Sequence, residues 1–329
     1  MGQALGTRAV RVLAVVLVLT PLLCGGLWRF WYRDRQPSWP PGVEEVSIPR
    51  GDNSLQMAMF AASTAALPMP LVVDLHPWGL DYRALTSSVV MASMMRNWNY
   101  IHPEMGGPGI STDACCSRRV LDDIDRAIDF GVSKGKADAG RVYVVGASGG
   151  GYAALCAALG SRRVVAAYSV WVPVTDLEAW YVETRVRDYR FAEEILHCTG
   201  SGKTLDPMKA RERSPMYMAV DASRLPRSRI MIFAGIHDGH QGPVSIAHSL
   251  RFFNRLAEIS GFSGQTASEM EMDRLLNHPE AYRPTGSILG DRQVFWERQA
   301  GNLHISIFDG GHEILPETAL RLLEDISFR

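Results

Sequence analysis

The chain has 329 residues, 47% of them hydrophobic and 21% charged, a composition able to bury a sizeable core and suited to one catalytic domain with a short leader. Its 34 basic and 35 acidic residues leave a formal net charge of −1 with no basic run, which excludes a nucleic-acid surface. Five cysteines are too few for a disulfide scaffold, and no C-x-x-C or Cys/His spacing suggests zinc, so neither a metal nor a cofactor is expected.

The leader departs from this average. Val12 to Leu27 is almost wholly apolar, preceded by Arg8 and Arg11 and followed by Trp28, Phe30, Trp31 and Tyr32, the aromatic flank expected at a bilayer surface. It reads as a membrane-targeting segment that anchors the protein or directs its export, with the rest of the chain on the extracytoplasmic side. Sixteen residues is short for a full span, so a cleaved signal peptide and an uncleaved anchor both stay open. Arginines at both ends leave the orientation undecided by charge. A Pro-rich linker, Pro37 to Pro41, closes a leader and linker of residues 1–42; residues 43–329 form the predicted catalytic domain.

Beyond the linker, Val43 to Ile48 and Leu55 to Phe60 read as strands. Leu71 to Leu75 is a short apolar run of the kind buried on both faces of a parallel sheet, followed by the loop His76-Pro-Trp-Gly79. The pattern then alternates: a helix around Leu85 to Met95, a strand near Tyr100-Ile101, a helix from Arg118 to Val132, a strand Arg141 to Val145, and a helix after Gly150. Further strands are expected at Val164 to Val172, Ile230 to Phe233 and His304 to Phe308, with helices from Val244 to Ile259 and from Pro316 onward. Such alternation implies an α/β fold with a mostly parallel central sheet, right-handed crossovers and helices on both faces; the nucleophile elbow at Ser148 makes the α/β-hydrolase fold the expected one. Two segments break the rhythm: residues 173–226 are expected to form a cap over the site, and residues 261–301, polar and charged, a peripheral insertion.

Gly146-Ala-Ser148-Gly-Gly150 follows directly on an apolar strand and opens a helix, the strand-turn-helix context that a G-x-S-x-G nucleophile elbow requires. Such a turn aims the helix N-terminus at the reaction centre, where free N–H groups stabilise a developing oxyanion. A serine hydroxyl needs a base to take its proton. His312, in Asp309-Gly-Gly-His312 after the last strand, is the candidate, while His304 falls inside the strand and reads as structural. The acid is assigned to Asp238, just past the C-terminal end of the strand Ile230 to Phe233, with Asp309 as the rival, three residues from His312 on the same loop. Gly149 N–H is expected to be one oxyanion donor. Pro77 has no N–H, so Trp78 becomes the candidate for the second, through its backbone or its indole, with an aromatic pocket wall as the alternative reading. Tyr152 and Trp171 are expected to line the substrate pocket.

Of the remaining residues, His237 and His240 form H-x-x-H, but Gly239 lies between them with no helix beneath, which argues against a metal site. Cys156 sits in an Ala-rich helix and reads as a small buried side chain. In an oxidising compartment Cys198 could bridge to Cys115 or Cys116; unrelated thiols are the alternative.

Several stretches resemble the catalytic domain of prolyl-oligopeptidase-type serine hydrolases: Val145-Gly-Ala-Ser-Gly-Gly-Gly-Tyr152, Trp171-Val-Pro-Val-Thr-Asp176, Ser214-Pro215 and Gly235-Ile-His-Asp-Gly-His-Gln-Gly-Pro-Val244. The similarity runs from about Glu44 to the C-terminus and is weakest between Gly261 and Gly301. It implies that the aspartate directly after the loop histidine, Asp238, serves the triad. Family peptidases carry a large β-propeller ahead of this domain, whereas about forty residues precede the first strand here, which makes a gated oligopeptidase an unexpected reading.

The function expected is therefore hydrolysis through an acyl-enzyme, with small or carbohydrate-linked esters as the leading substrate class and short peptides as the alternative. Glu183, Glu193 and Glu194 in the cap offer themselves as a grip for a peptide's α-amino group, against the simpler reading of a solvated helix face. A non-catalytic binding protein on the same fold is the third reading.

Overall fold

A computed structural model describes residues 38–85, 88–107, 111–187 and 190–326; the leader Val12 to Leu27 lies outside them. Contacts divide the chain into Met1–Trp39 and Pro40–Arg329, and the second unit holds the whole sheet. Among the described residues no helix is long and apolar enough to cross a membrane.

The ten strands are β1 (Glu44–Pro49), β2 (Leu55–Ala61), β3 (Leu71–Leu75), β4 (Asn99–Pro103), β5 (Val142–Ala147), β6 (Ala167–Trp171), β7 (Arg229–Gly235), β8 (Ile288–Leu289), β9 (Arg292–Ala300) and β10 (Leu303–Phe308). They lie in the order β1-β2-β4-β3-β5-β6-β7-β10-β9-β8. From β4 through β10 every neighbouring pair is parallel, while β1–β2, β2–β4, β10–β9 and β9–β8 are antiparallel. The parallel centre is made by the short apolar runs: β3 and β6 are buried along their whole length, as strands covered on both faces must be.

Nine helices are described: α1 (Val89–Met95), α2 (Arg118–Lys134), α3 (Gly149–Gly160), α4 (Leu177–Val186), α5 (Phe191–Thr199), α6 (Pro207–Glu212), α7 (Ala247–Ile259), α8 (Glu269–Asn277) and α9 (Pro316–Ile326). Helix α2 starts where Ser117 Oγ accepts from Val120 N–H and lays Ile124, Ala127 and Ile128 on the sheet, in the main core. Asp176 caps α4 by accepting from Glu178 and Ala179 N–H, and Asp206 with Pro207 opens α6 in the same way.

Helices α4, α5 and α6 occupy the stretch read as a cap. They enclose a second apolar cluster, separate from the main core, in which Leu177, Trp180, Ile195 and Cys198 meet Trp78 and Tyr152. The stretch 261–301, expected as a peripheral insertion, lies at the edge of the sheet. It carries α8, but it also supplies β9, which pairs with β10 over six residues and extends the central sheet. Val294 and Trp296 are buried with the half-buried Phe295 between them, the period-two pattern of an antiparallel strand covered on one face.

Candidate active site

Ser148 stands at the turn between β5 and α3 with φ 57° and ψ −119°, a conformation an L-residue keeps only when its surroundings enforce it. Its N–H donates to Trp171 O at 2.9 Å, tying the turn to the end of β6. The flanking glycines are required by space: a Cβ at Gly146 would run into the backbone of Gly150, and one at Gly150 into the carbonyl of Leu75. The hydroxyl carrier is half-buried, open on one side to solvent. Among the described residues its Oγ has no hydrogen-bond partner, a looseness common before substrate binds.

Gly149 explains the approach of the second loop. A Cβ there would overlap the N, Cα and Cβ atoms of Trp78, so only glycine lets the backbone of Trp78 draw up to the start of α3. The first helical N–H, that of Gly149, has no preceding turn to satisfy it, and the Trp78 N–H has no acceptor among the described residues. Of the two donors the sequence left open on Trp78, the indole is already engaged: Nε1 donates to Glu194 Oε2 at 3.0 Å. The backbone N–H is the one left without an acceptor among the described residues.

Asp238 lies three residues past β7 and His312 four past β10. His312 Nδ1 and Asp238 Oδ2 are 2.7 Å apart, with side-chain exposures of 19% and 2%. The other carboxylate oxygen accepts from Gly239 N–H at 3.0 Å and Val244 N–H at 3.3 Å, so the loop itself aims the acid. Gly242 packs on the pair, where a Cβ would overlap Asp238 Oδ1 and come within 3.0 Å of His312 Cβ. The rival acid, Asp309, takes a different partner: its Oδ1 is 3.3 Å from His237 Nε2. His240 Nε2 bonds to Leu276 O at 2.9 Å, so the two histidines of H-x-x-H take separate partners. His304 stays inside β10, where burial pushes its pKa below the ordinary histidine value.

A cavity opens beside Gly149, lined among others by His76, Trp78, Met105, Val120 and Tyr152. Tyr152, one of its lining residues, is buried, which pushes its phenol well above the usual tyrosine pKa, and its hydroxyl donates to Arg213 O. Trp171 is not in this pocket, which corrects the expectation: it is 0% exposed, stacked on Phe233 with ring centroids 4.4 Å apart, its indole donating to Ser169 Oγ at 2.9 Å. The end of a strand flanked by neighbours on both sides is core before it is pocket wall.

The cap reaches both halves of the site. Trp180 Nε1 donates to Pro243 O at 3.0 Å and Arg187 donates to the carbonyls of Gly242 and Gly239, so the loop carrying Asp238 is held from α4 and its C-terminal end. Nothing in the sequence singled out Arg187. Of the three glutamates considered as an amine grip, Glu183 lies 3.6 Å from His248 and Glu194 holds Trp78, while Glu193 is exposed. Burial alone would raise the Glu183 carboxyl, but His248, Ser245 N–H and Arg187 together hold it below its ordinary value.

Two disulfides tie this region together. Cys115 joins Cys198 with Cα atoms 5.9 Å apart, linking α5 to the loop before α2. Cys116 joins Cys156 of α3 with Cα atoms 5.7 Å apart, so Cys156 is a bonded partner rather than the simple buried thiol expected. Among the described residues no group of three or more His, Cys, Asp or Glu could hold a metal ion.

Residues 116–300 match the prolyl oligopeptidase family. A comparison with curated proteins returned no match. Among solved structures, the chain is similar to Pyrococcus horikoshii acylaminoacyl peptidase, with TM-score 0.58 and 12% identity over 91% of this chain and 42% of that one. It is also similar to a puromycin-hydrolyzing peptidase of Mycobacterium tuberculosis, with TM-score 0.54 and 17% identity over 87% of this chain and 38% of that one. For prolyl oligopeptidase B of Galerina marginata the TM-score is 0.53 and the identity 15%, over 67% and 31% of the two chains. At these identities the likeness establishes the α/β-hydrolase fold, and the chain spans about two fifths or less of those proteins' length.

Proposed function

Because the chain belongs to the prolyl oligopeptidase family, and so is a serine hydrolase, we propose that it is a peptidase acting on short peptides through an acyl-enzyme at Ser148. One observation supports the catalytic assignment: the 2.7 Å pair of His312 and buried Asp238 follows the C-terminal ends of β7 and β10, in the same sheet as β5, whose C-terminal end opens the strained turn that carries Ser148. In this reading Asp238 fixes the tautomer of His312, leaving Nε2 to take the Ser148 proton as Oγ attacks the carbonyl. The tetrahedral oxyanion is met by the N–H groups of Gly149 and Trp78. His312 then delivers the proton to the leaving amine, and water repeats the cycle on the acyl-enzyme.

The ester expectation and the peptide alternative share this machinery. The family match supports the peptide, as do the peptidase activities named for the similar structures. Purified full-chain protein assayed on aminoacyl and acylaminoacyl anilides beside p-nitrophenyl esters separates the two. Turnover of at least one anilide, lost in Ser148→Ala, is the expected result; turnover of esters alone overturns the peptidase reading.

We further propose that Val12 to Leu27 targets the protein to a membrane, with the hydrolase unit on the extracytoplasmic side. The two disulfides support an oxidising surrounding. Added protease that degrades the hydrolase unit in intact cells agrees with this; full protection until the cells are lysed contradicts it.

A further inference from the structure

We propose that Glu194, on cap helix α5, is a positioning residue for the oxyanion hole: by holding the Trp78 indole it keeps the Trp78 backbone N–H beside that of Gly149. The inference rests on the reading of these two N–H groups as the oxyanion donors, and adds to it what sets their spacing.

The loop His76-Pro-Trp-Gly79 is anchored at its first residue, where buried His76 places Nε2 3.7 Å from Glu104 Oε1, but has little of its own to fix it at Trp78. The ladder between β3 and β5 ends at Leu75 opposite Gly146, three residues before Trp78. Pro77 contributes no N–H, and the hydrogen bonds internal to the loop are Leu80 N–H to Pro77 O at 3.3 Å and the contact of His76 Nδ1 with Pro77 O at 3.1 Å. Trp78 is the largest side chain in the loop and is 8% exposed, wedged edge-on against Trp180 at 4.9 Å and Tyr152 at 5.7 Å between centroids. Ring contacts of this kind fix the plane of an indole more weakly than a directed bond fixes its position. The directed bond is the one to Glu194, 3.0 Å long and accepted by a carboxyl oxygen.

Glu194 is built to stay where it is. Its side chain is 16% exposed and its Oε1 lies 3.6 Å from Arg190 Nε. The carboxylate also rests on Gly79, where φ is +72° and an added Cβ would lie 3.4 Å from Oε2. One helical turn further on, Cys198 is bonded to Cys115, so α5 cannot drift from the body of the enzyme while that bond is intact. Position thus passes from the disulfide to α5, to Glu194, to the indole and to the peptide N–H that must meet the oxyanion. Oxyanion donors act only when held within a few tenths of an ångström of their working place, so a fault in this chain reaches the chemistry without touching substrate.

The test uses full-chain wild type, Glu194→Ala, Glu194→Gln, Trp78→Phe and the Ala/Phe double variant. Each is assayed on p-nitrophenyl acetate and on an aminoacyl anilide with a free amine, and for inhibition by phenylboronic acid, whose adduct carries an oxyanion. Glu194→Ala is expected to lower kcat about 10- to 100-fold on turned-over substrates with KM changed less than about twofold, and to weaken boronate inhibition by the same factor. Glu194→Gln keeps an acceptor and should stay within about threefold of wild type in every readout. Trp78→Phe should match Glu194→Ala, and the double variant should lose no more than either alone. A thermal midpoint near wild type in Glu194→Gln and Trp78→Phe keeps the comparison valid even if Glu194→Ala folds poorly. A KM increase confined to the free-amine substrate would assign Glu194 to substrate recognition and overturn the proposal, as would multiplying losses in the double variant or a Gln variant as poor as Ala. Labelling of Ser148 by a fluorophosphonate separates the two levels: unlabelled, well-folded wild type defeats the catalytic reading itself, whereas normal labelling with unchanged kcat in Glu194→Ala defeats this assignment alone.

Discussion

Two aspartate–histidine pairs join the same two loops, crosswise. The loop after β7 supplies His237 and Asp238, the loop after β10 supplies Asp309 and His312, and each histidine takes the other loop's acid. The two pairs differ in everything that matters for catalysis. Asp238 is 2% exposed, receives two backbone N–H groups besides His312, and has one direction in which to point. His237 and Asp309 are 45% and 49% exposed and 3.3 Å apart, a surface contact that solvent and salt can replace. Composition and loop position are nearly the same; burial and a backbone cradle hold one pair in a single geometry and leave the other a surface contact.

The comparison can be broken or sharpened by substitution. Ser148→Ala or His312→Ala should remove turnover, lowering kcat by roughly 10⁴- to 10⁶-fold, since either loss disables the whole unit. Asp238→Asn keeps the shape but not the tautomer control and should cost about 10⁴-fold in kcat, with the protein still folded by circular dichroism. A less direct break is Gly242→Ala: its Cβ would overlap Asp238 Oδ1 and press on His312, and a displacement of about 1 Å predicts a loss near 100-fold in kcat with KM less affected. The other pair should hardly register. Asp309→Asn is expected to leave kcat within about threefold and to change stability by about 0–1 kcal/mol in urea unfolding. A dead Asp309→Asn beside an active Asp238→Asn would reverse the comparison.

How much of this the sequence disclosed follows from how local each signal is. The elbow was legible because strand, Gly-x-Ser-x-Gly and helix are contiguous, and the position of Asp238 because it follows a buried strand by three residues. Trp78 was half legible: Pro77 narrows the donors to one residue, but only the cap, more than a hundred residues away in sequence, decides that the indole goes to Glu194. Trp171 misled because a strand terminus looks the same in sequence whether it borders a pocket or, as here, packs between Phe233 and Phe308. Cys156 found Cys116 through the packing of α3 against the loop before α2, a tertiary contact that no spacing announces. The strand β9 was concealed by its polar face; Val294 and Trp296 alternate correctly, but Arg292, Glu297 and Arg298 dominate a reading by composition.

The central claim is that Ser148 is a nucleophile activated by His312 under the control of Asp238. Its most direct test is peptide mapping of the fluorophosphonate adduct, with labelling rates for wild type, Asp238→Asn and Asp309→Asn. The account predicts a single adduct on the peptide carrying Ser148, formed at least about 1,000-fold more slowly in Asp238→Asn and at a near-normal rate in Asp309→Asn. An adduct on any other serine, or equal rates in wild type and Asp238→Asn, would contradict it.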